Sequence, residues 1–196
     1  RYTCRDHMMT SIGDTSGYST GWFRPRATFS NQRTVSWDVN VTDLGPRQWW
    51  EVVVVPAAFN SGVPECPQCA GSPALSPSPS GLPIYPAGSV AVGNGPAARD
   101  IRVHVDGADQ QVEAAANLCR QDPEGCASKA IRRPFSMTDN GNGTITVEYG
   151  GFATYTVAGS FPSQFAVVFK DHNYTPTKTG AQPGYTWHWD NIVVGG

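Results

Sequence analysis

Gln48-Trp49-Trp50-Glu51-Val52-Val53-Val54-Val55 is the stretch on which the fold turns. Two tryptophans followed by four valines have the aromatic and β-branched character of a strand. The run is nearly all apolar, which suits a central strand covered on both faces. Glu51 breaks the pattern. A carboxylate in an apolar strand is costly unless it is paired or put to use.

Upstream, Asp43-Leu44-Gly45-Pro46 has turn chemistry. Before it, Thr34 to Val41 alternates cleanly, with Val35, Trp37, Val39 and Val41 facing a core and Ser36, Asp38 and Asn40 facing out. Trp22 to Phe29 reads as a strand in which Pro25 marks an edge or a bulge. Downstream, residues 64–86 form a Pro/Ser-rich excursion, including Ser76-Pro77-Ser78-Pro79-Ser80, too short to divide the chain convincingly. Strands resume over Gly88–Val92 and Asp100–Val105, and Ala-rich Gln110–Cys119 is the one plausible helix. Ile131–Met137, Thr144–Tyr149, Phe152–Val157 and Phe165–Phe169 follow, with Asp139-Asn140-Gly141-Asn142-Gly143 as a strong hairpin turn. The last run is Tyr185-Thr186-Trp187-His188-Trp189-Asp190-Asn191-Ile192-Val193-Val194. Strand alternation puts Trp187 and Trp189 on one face and His188 with Asp190 on the other. The pattern predicts an all-β chain of roughly nine to eleven strands with at most one short helix, an antiparallel β-sandwich or jelly roll. Residues 1–196 read as a single domain.

Composition narrows the function classes. Gly 21, Pro 16 and only 15% charged residues describe a turn-rich folded chain. A net charge of −2 lacks the basic footprint of a nucleic-acid binder. No apolar run is long enough for a membrane-spanning helix, and no signal peptide is visible, so any export signal was removed or never present. Cys119 and Cys126 bracket a short polar turn and read as a local disulfide. Cys66-Pro67-Gln68-Cys69 is open to a disulfide, a metal or a redox role, and Cys4 is left over. This usage points to a secreted or cell-envelope protein. Asn40, Asn142 and Asn173 each open a glycosylation sequon, informative only in a eukaryotic source.

The Trp49-Trp50-Glu51-Val52-Val53-Val54-Val55 strand, the apolar Phe165–Phe169 strand and the closing Trp189-Asp190-Asn191-Ile192-Val193-Val194 resemble the concanavalin A-like lectin and glucanase jelly rolls. The resemblance covers most of the chain in pattern. It implies two curved sheets packed face to face, with a glycan groove on the concave one. The Glu-x-Asp-x-x-Glu signature of the laminarinase-like glycosidases is absent, since Glu51 is followed by Val52-Val53-Val54-Val55. The strand is also similar to the nucleophile strand of small jelly-roll xylanases and endoglucanases, and from that comparison only Glu51 carries over.

The expected function is therefore glycoside hydrolysis of a polysaccharide. The alternative is non-catalytic, lectin-like glycan binding or cell-surface adhesion. Glycosidases use two carboxyl groups. Glu51 is the leading candidate, with Glu148 or Asp38 as its partner and His188, beside Asp190, as an oriented base. Sugars stack on aromatic rings and bond to polar groups, so Asp38, Trp50, His172, Tyr174 and Trp187 are candidate substrate-binding residues, and Trp22, Trp49 and Trp189 are further platforms. His172 and His188 with an Asp could also hold a metal. No cofactor is required; the resemblance implies at most a structural calcium at Asp190.

Overall fold

The computed structural model describes residues 2–5, 8–12, 18–23, 27–40, 48–60, 87–94, 101–105, 108–111, 118–128, 130–174 and 186–196. The 64–86 excursion, the Asp43–Pro46 turn, His7, Cys66 and Cys69 lie outside them.

Fourteen strands run in chain order among the described residues: β1 (Tyr2–Arg5), β2 (Met8–Ile12), β3 (Tyr18–Phe23), β4 (Phe29–Ser30), β5 (Thr34–Asn40), β6 (Gln48–Pro56), β7 (Val90–Asn94), β8 (Ile101–Val105), β9 (Ala108–Gln111), β10 (Arg132–Asp139), β11 (Thr144–Tyr149), β12 (Ala153–Ala158), β13 (Gln164–Tyr174) and β14 (Thr186–Gly195). Among the described residues, helix is confined to short turns, α1 (Ala57–Asn60), α2 (Leu118–Gln121) and α3 (Pro123–Ala127). The first residues of the helix expected over Gln110–Cys119 are strand instead, because Gln110 and Gln111 pair with β8 as part of β9; residues 112–117 lie outside the described residues. The expected Trp22–Phe29 strand is two, β3 and β4, which pair with successive parts of β13.

The strands form two antiparallel sheets. The first has the order β1-β2-β14-β5-β10-β11-β12 and the second β3-β13-β6-β7-β8-β9, with β4 also on β13. As expected for its valine run, β6 is central, between β13 and β7. The Asn-Gly-Asn-Gly turn closes the β10–β11 hairpin, where Gly141 and Gly143 take φ of 73° and 81°, conformations that favour glycine.

Alternation decides what is buried. Val35, Trp37 and Val39 of β5, Trp50, Val52 and Val54 of β6, and Phe135, Val147, Tyr149, Phe169 and Trp189 share one core between the sheets. Trp50 is its hub: its ring meets Phe135, Trp189 and Trp37 edge-on at 4.8, 5.6 and 6.0 Å. Edge-to-face pairs of this kind contribute about 0.5–1.5 kcal/mol each beyond area burial. Val53 and Val55 have the opposite parity. With Ala91, Ala166 and Val168 they make a second buried cluster on the other face of the second sheet.

Beneath the first sheet, Asp122 ties the α2–α3 segment down. Its carboxylate accepts hydrogen bonds from Arg133 Nε at 2.7 Å, Tyr149 Oη at 2.6 Å and the Gly125 amide at 2.9 Å. These donors satisfy a group that is 2% exposed and would otherwise be costly to bury.

Candidate functional site

Glu51 shares the parity of Val53 and Val55, so it lies on the face of the second sheet that turns away from the inter-sheet core. It is 3% exposed and opposes Lys170 on one side and Gly93 on the other. Gly93 matters sterically. A Cβ there would come 2.7 Å from Glu51 Cγ and would also strike the Trp50 carbonyl oxygen, so only glycine leaves room for the carboxylate stem.

The register collects a set of residues around Glu51. One row crosses six strands as Trp22, Lys170, Glu51, Gly93, Arg102 and Gln111. The neighbouring row holds Thr20, His172 and Trp49, and Tyr174 pairs with Tyr18 one step further. On the other side of Glu51 the face turns aliphatic with Val53, Ala91 and Val168, then ends in His104 and Asp109. By register the face therefore divides along the strands into a polar, aromatic part and an aliphatic part, and the members of both whose side chains are described, Glu51, Gly93, Val53, Ala91 and Val168, are buried.

The structure brings His172 and Tyr174 to the register neighbourhood of Glu51 and separates the other predicted site residues from it. Trp50 is fully buried between the sheets and offers no platform to a ligand; its neighbour Trp49 holds the register position on the Glu51 face. Sequence alternation could have distinguished the two only with knowledge of which β6 face meets the other sheet. Trp187 shares the parity of Trp189, whose side chain is core, and lies in the first sheet. Glu148 is exposed on the outer face of the first sheet, where its Oε2 accepts from Ser136 at 3.4 Å. Stacked sheets lie about 10 Å apart. Carboxyls on their two outer faces are farther apart than the roughly 9.5 Å limit of glycosidase pairs, so Glu148 is not the partner of Glu51.

His188, Asp190 and Asp38 likewise belong to the first sheet and not to the Glu51 face. Asp190 opposes Asp38 directly across β14 and β5. Two groups relieve the repulsion. Arg132 Nη1 lies 3.1 Å from Asp190 Oδ2, and Asn191 Nδ2 donates to Asp38 Oδ2 at 2.6 Å. Asn191 reaches Asp38 from a bulge, with φ of 48° and a register shift between Asp190 and Val193. Burial lowers the His188 pKa, and the Arg132 charge lowers it further. The His188 amide donates to the Oδ1 of buried Asn40 at 2.8 Å. The Asp190 carboxylate, the expected calcium position, lies 3.1 Å from Arg132 Nη1 through Oδ2 and accepts from the Asn191 amide at 2.8 Å through Oδ1. Among the described residues no three His, Cys, Asp or Glu side chains converge as metal ligands. His172 and His188 fall on different sheets and cannot share one.

The pairing, order and shared core of the two sheets define the concanavalin A-like jelly roll, as the sequence resemblance implied. Three solved structures illustrate the likeness. A prokaryotic β-1,3-1,4-glucanase (lichenase) from a mouse hindgut metagenome superposes with a TM-score of 0.59 at 7% identity, covering 99% of this chain and 82% of the lichenase. A family 16 glycoside hydrolase endo-glucanase from Bacteroides ovatus gives 0.54 at 10% identity, covering 95% and 80%. The carbohydrate binding module CBM66 from Bacillus subtilis gives 0.50 at 9% identity, covering 100% and 91%. No protein-family model and no curated protein matches the chain. At these identities the likeness is one of fold.

Proposed function

We propose that the chain is a carbohydrate-active protein that binds a polysaccharide on the outer face of its second sheet, with Glu51 at the centre. The observation that carries this reading is the row Trp22–Lys170–Glu51–Gly93–Arg102–Gln111, flanked by His172 and Trp49. Aromatic faces suit the apolar C–H faces of sugars, and carboxylate, ammonium and imidazole groups suit their hydroxyls. The glucanases and the carbohydrate-binding module of the same fold support it.

Binding without cleavage is the first reading. Among the described side chains, Glu51 is the only carboxylate on this face. Asp109 is three strands away by register, about 14 Å at a strand spacing of about 4.8 Å. Hydrolysis with Glu51 as a catalytic carboxylate is the second reading, favoured by the placement of a buried carboxylate in a valine strand. We also place the protein outside the cytosol, secreted or in the cell envelope. The spacing of Cys119 and Cys126 around a short polar turn suits a local disulfide, which fits such a location.

Isothermal titration against a panel of soluble polysaccharides, with product analysis after long incubation, tests the reading. Binding without products supports the first form. Release of reducing ends that Glu51→Gln abolishes establishes the second. A chain that binds no polysaccharide overturns both.

A further inference from the structure

The Asp139-Asn140-Gly141-Asn142-Gly143 turn contains two Asn-Gly pairs, and their hydrogen bonding differs. An Asn-Gly pair can react with itself, the glycine amide nitrogen attacking the carbonyl carbon of the asparagine side chain. Glycine, lacking a Cβ, obstructs that attack least. At Asn140-Gly141 both reacting groups are held. The Gly141 amide donates to Asp139 Oδ1 at 2.8 Å, and Asn140 Nδ2 donates to Thr144 Oγ1 and Thr146 Oγ1, each at 2.9 Å. The Arg33 guanidinium crowds the same glycine, and a Cβ at Gly141 would strike it. At Asn142-Gly143 the arrangement is reversed. Asn142 Oδ1 accepts from Thr144 Oγ1 at 2.6 Å and from the Thr144 amide at 3.2 Å. Both residues are exposed, and a Cβ at Gly143 would meet nothing within 4 Å. Among the described residues the Gly143 amide has no acceptor.

From this contrast we infer that Asn142 is a self-modification site, at which Thr144 activates the side-chain carbonyl, the Gly143 amide expels ammonia, and water leaves an aspartyl or isoaspartyl residue. The bond between Gly143 N and Asn142 Cγ forms as the Cγ–Nδ2 bond breaks, and the Gly143 amide proton departs with the ammonia. Water then adds to either carbonyl of the cyclic imide and cleaves one of its C–N bonds. The net change is one water consumed and one ammonia released. Thr144 aims two donors at the oxygen on which charge gathers in the tetrahedral intermediate. Its hydroxyl accepts from Asn140 Nδ2 while donating to Asn142 Oδ1, a chain in which each bond strengthens the next. The product carries a new negative charge at the tip of the β10–β11 hairpin. In the isoaspartyl form the backbone runs through the former side chain and displaces Gly143, whose carbonyl accepts from the Gly159 amide at 2.9 Å. That bond secures the chain where it leaves β12, so the modification loosens the end of that strand. The inference is independent of the saccharide site.

The test incubates the intact chain in heavy-oxygen water at about pH 8 and 37 °C, folded in buffer and unfolded in guanidinium, and locates the labelled carboxyls by peptide mass spectrometry. In the folded chain Asn142 is expected to convert at least about tenfold faster than Asn140, the rate difference that one hydrogen bond to a charged acceptor imposes. In the unfolded chain the two are expected to convert at similar rates, since glycine follows both. Thr144→Val is expected to slow Asn142 severalfold in the folded chain and to change nothing in the unfolded one. In aged wild type the Gly159 amide is expected to exchange its hydrogen faster than in fresh protein. The comparison of the two asparagines needs no variant, so it stands even if Thr144→Val misfolds. Equal conversion of Asn140 and Asn142 in the folded chain, faster conversion of Asn140, or no conversion of Asn142 while the unfolded chain reacts overturns the inference. A folded Thr144→Val chain that converts Asn142 at the wild-type rate overturns it as well.

Discussion

Glu51 and Gly93 face each other across β6 and β7, and the carboxylate stem of one lies where a side chain of the other would be. Gly93→Ala forces a methyl group against Glu51 Cγ and the Trp50 carbonyl oxygen, and the backbone oxygen cannot swing aside. Overpacking of this kind costs about 1–3 kcal/mol. The variant is expected to melt at lower temperature and to lose polysaccharide affinity, as read by calorimetry on the same preparation.

Asp122 gives the fold a defined acid sensitivity. Hydrogen bonding to Arg133 is the largest cause of its lowered pKa, about 2 against an ordinary 3.8; bonds from Tyr149 and the Gly125 amide add to it, and burial opposes. A depressed carboxylate stabilises the folded state fully above the unfolded value and loses that contribution as pH falls through the folded one. The contribution is about 2 kcal/mol. Denaturant unfolding from pH 6 to pH 2 is expected to show wild type losing stability between pH 4 and 2. Asp122→Asn should lack that step and be less stable at pH 6.

His188 responds in the opposite chemical sense but the same pH direction. Its folded pKa lies below 6.5 because burial and the Arg132 charge disfavour the imidazolium. The unfolded chain therefore takes up the proton first, and stability declines as pH falls from about 6.5 through the folded value. Arg132→Gln removes the repulsive cation. An NMR titration of the His188 ring is expected to show its pKa rising toward 6.5 in that variant.

Trp49 and Trp50 are adjacent, and their substitution is expected to separate stability from binding. Trp50→Ala empties the aromatic hub between the sheets and should cost ~3–5 kcal/mol. Trp49→Ala should lower polysaccharide affinity at least tenfold, ~1.4 kcal/mol, with a much smaller change in melting temperature. Thermal unfolding and calorimetric titration of both variants check the assignment of the two β6 faces; the reverse pattern would refute it.

Local pattern was readable in the sequence to the extent that side-chain period reports burial. The alternation of Val35, Trp37 and Val39, the Asn140-Gly141 hairpin turn and the doubly buried valine run all appear in the structure as read. Long-range pairing was not readable. Nothing in Glu51 or Glu148 as residues says that their strands belong to different sheets, and the pairing of the two carboxylates failed for that reason. The Asp122–Arg133–Tyr149 network was also invisible, because its members lie 11 and 27 positions from Asp122 and meet only after the sheet forms. Helix propensity misled at Gln110 and Gln111, where pairing with β8 overrides local preference.

The strand order of the first sheet has a kinetic consequence. The β1–β2 hairpin reaches the rest of that sheet only through β14, which sits between β2 and β5. During synthesis the first hairpin emerges long before the strand that docks it, while the β10–β11–β12 meander can pair from neighbours already made. Pairings of high sequence separation form slowly and leave edges open meanwhile. The β2 edge, and the β5 edge that β14 will cover, are thus the surfaces most exposed to mispairing until the Trp187–Trp189 strand arrives and closes the sheet.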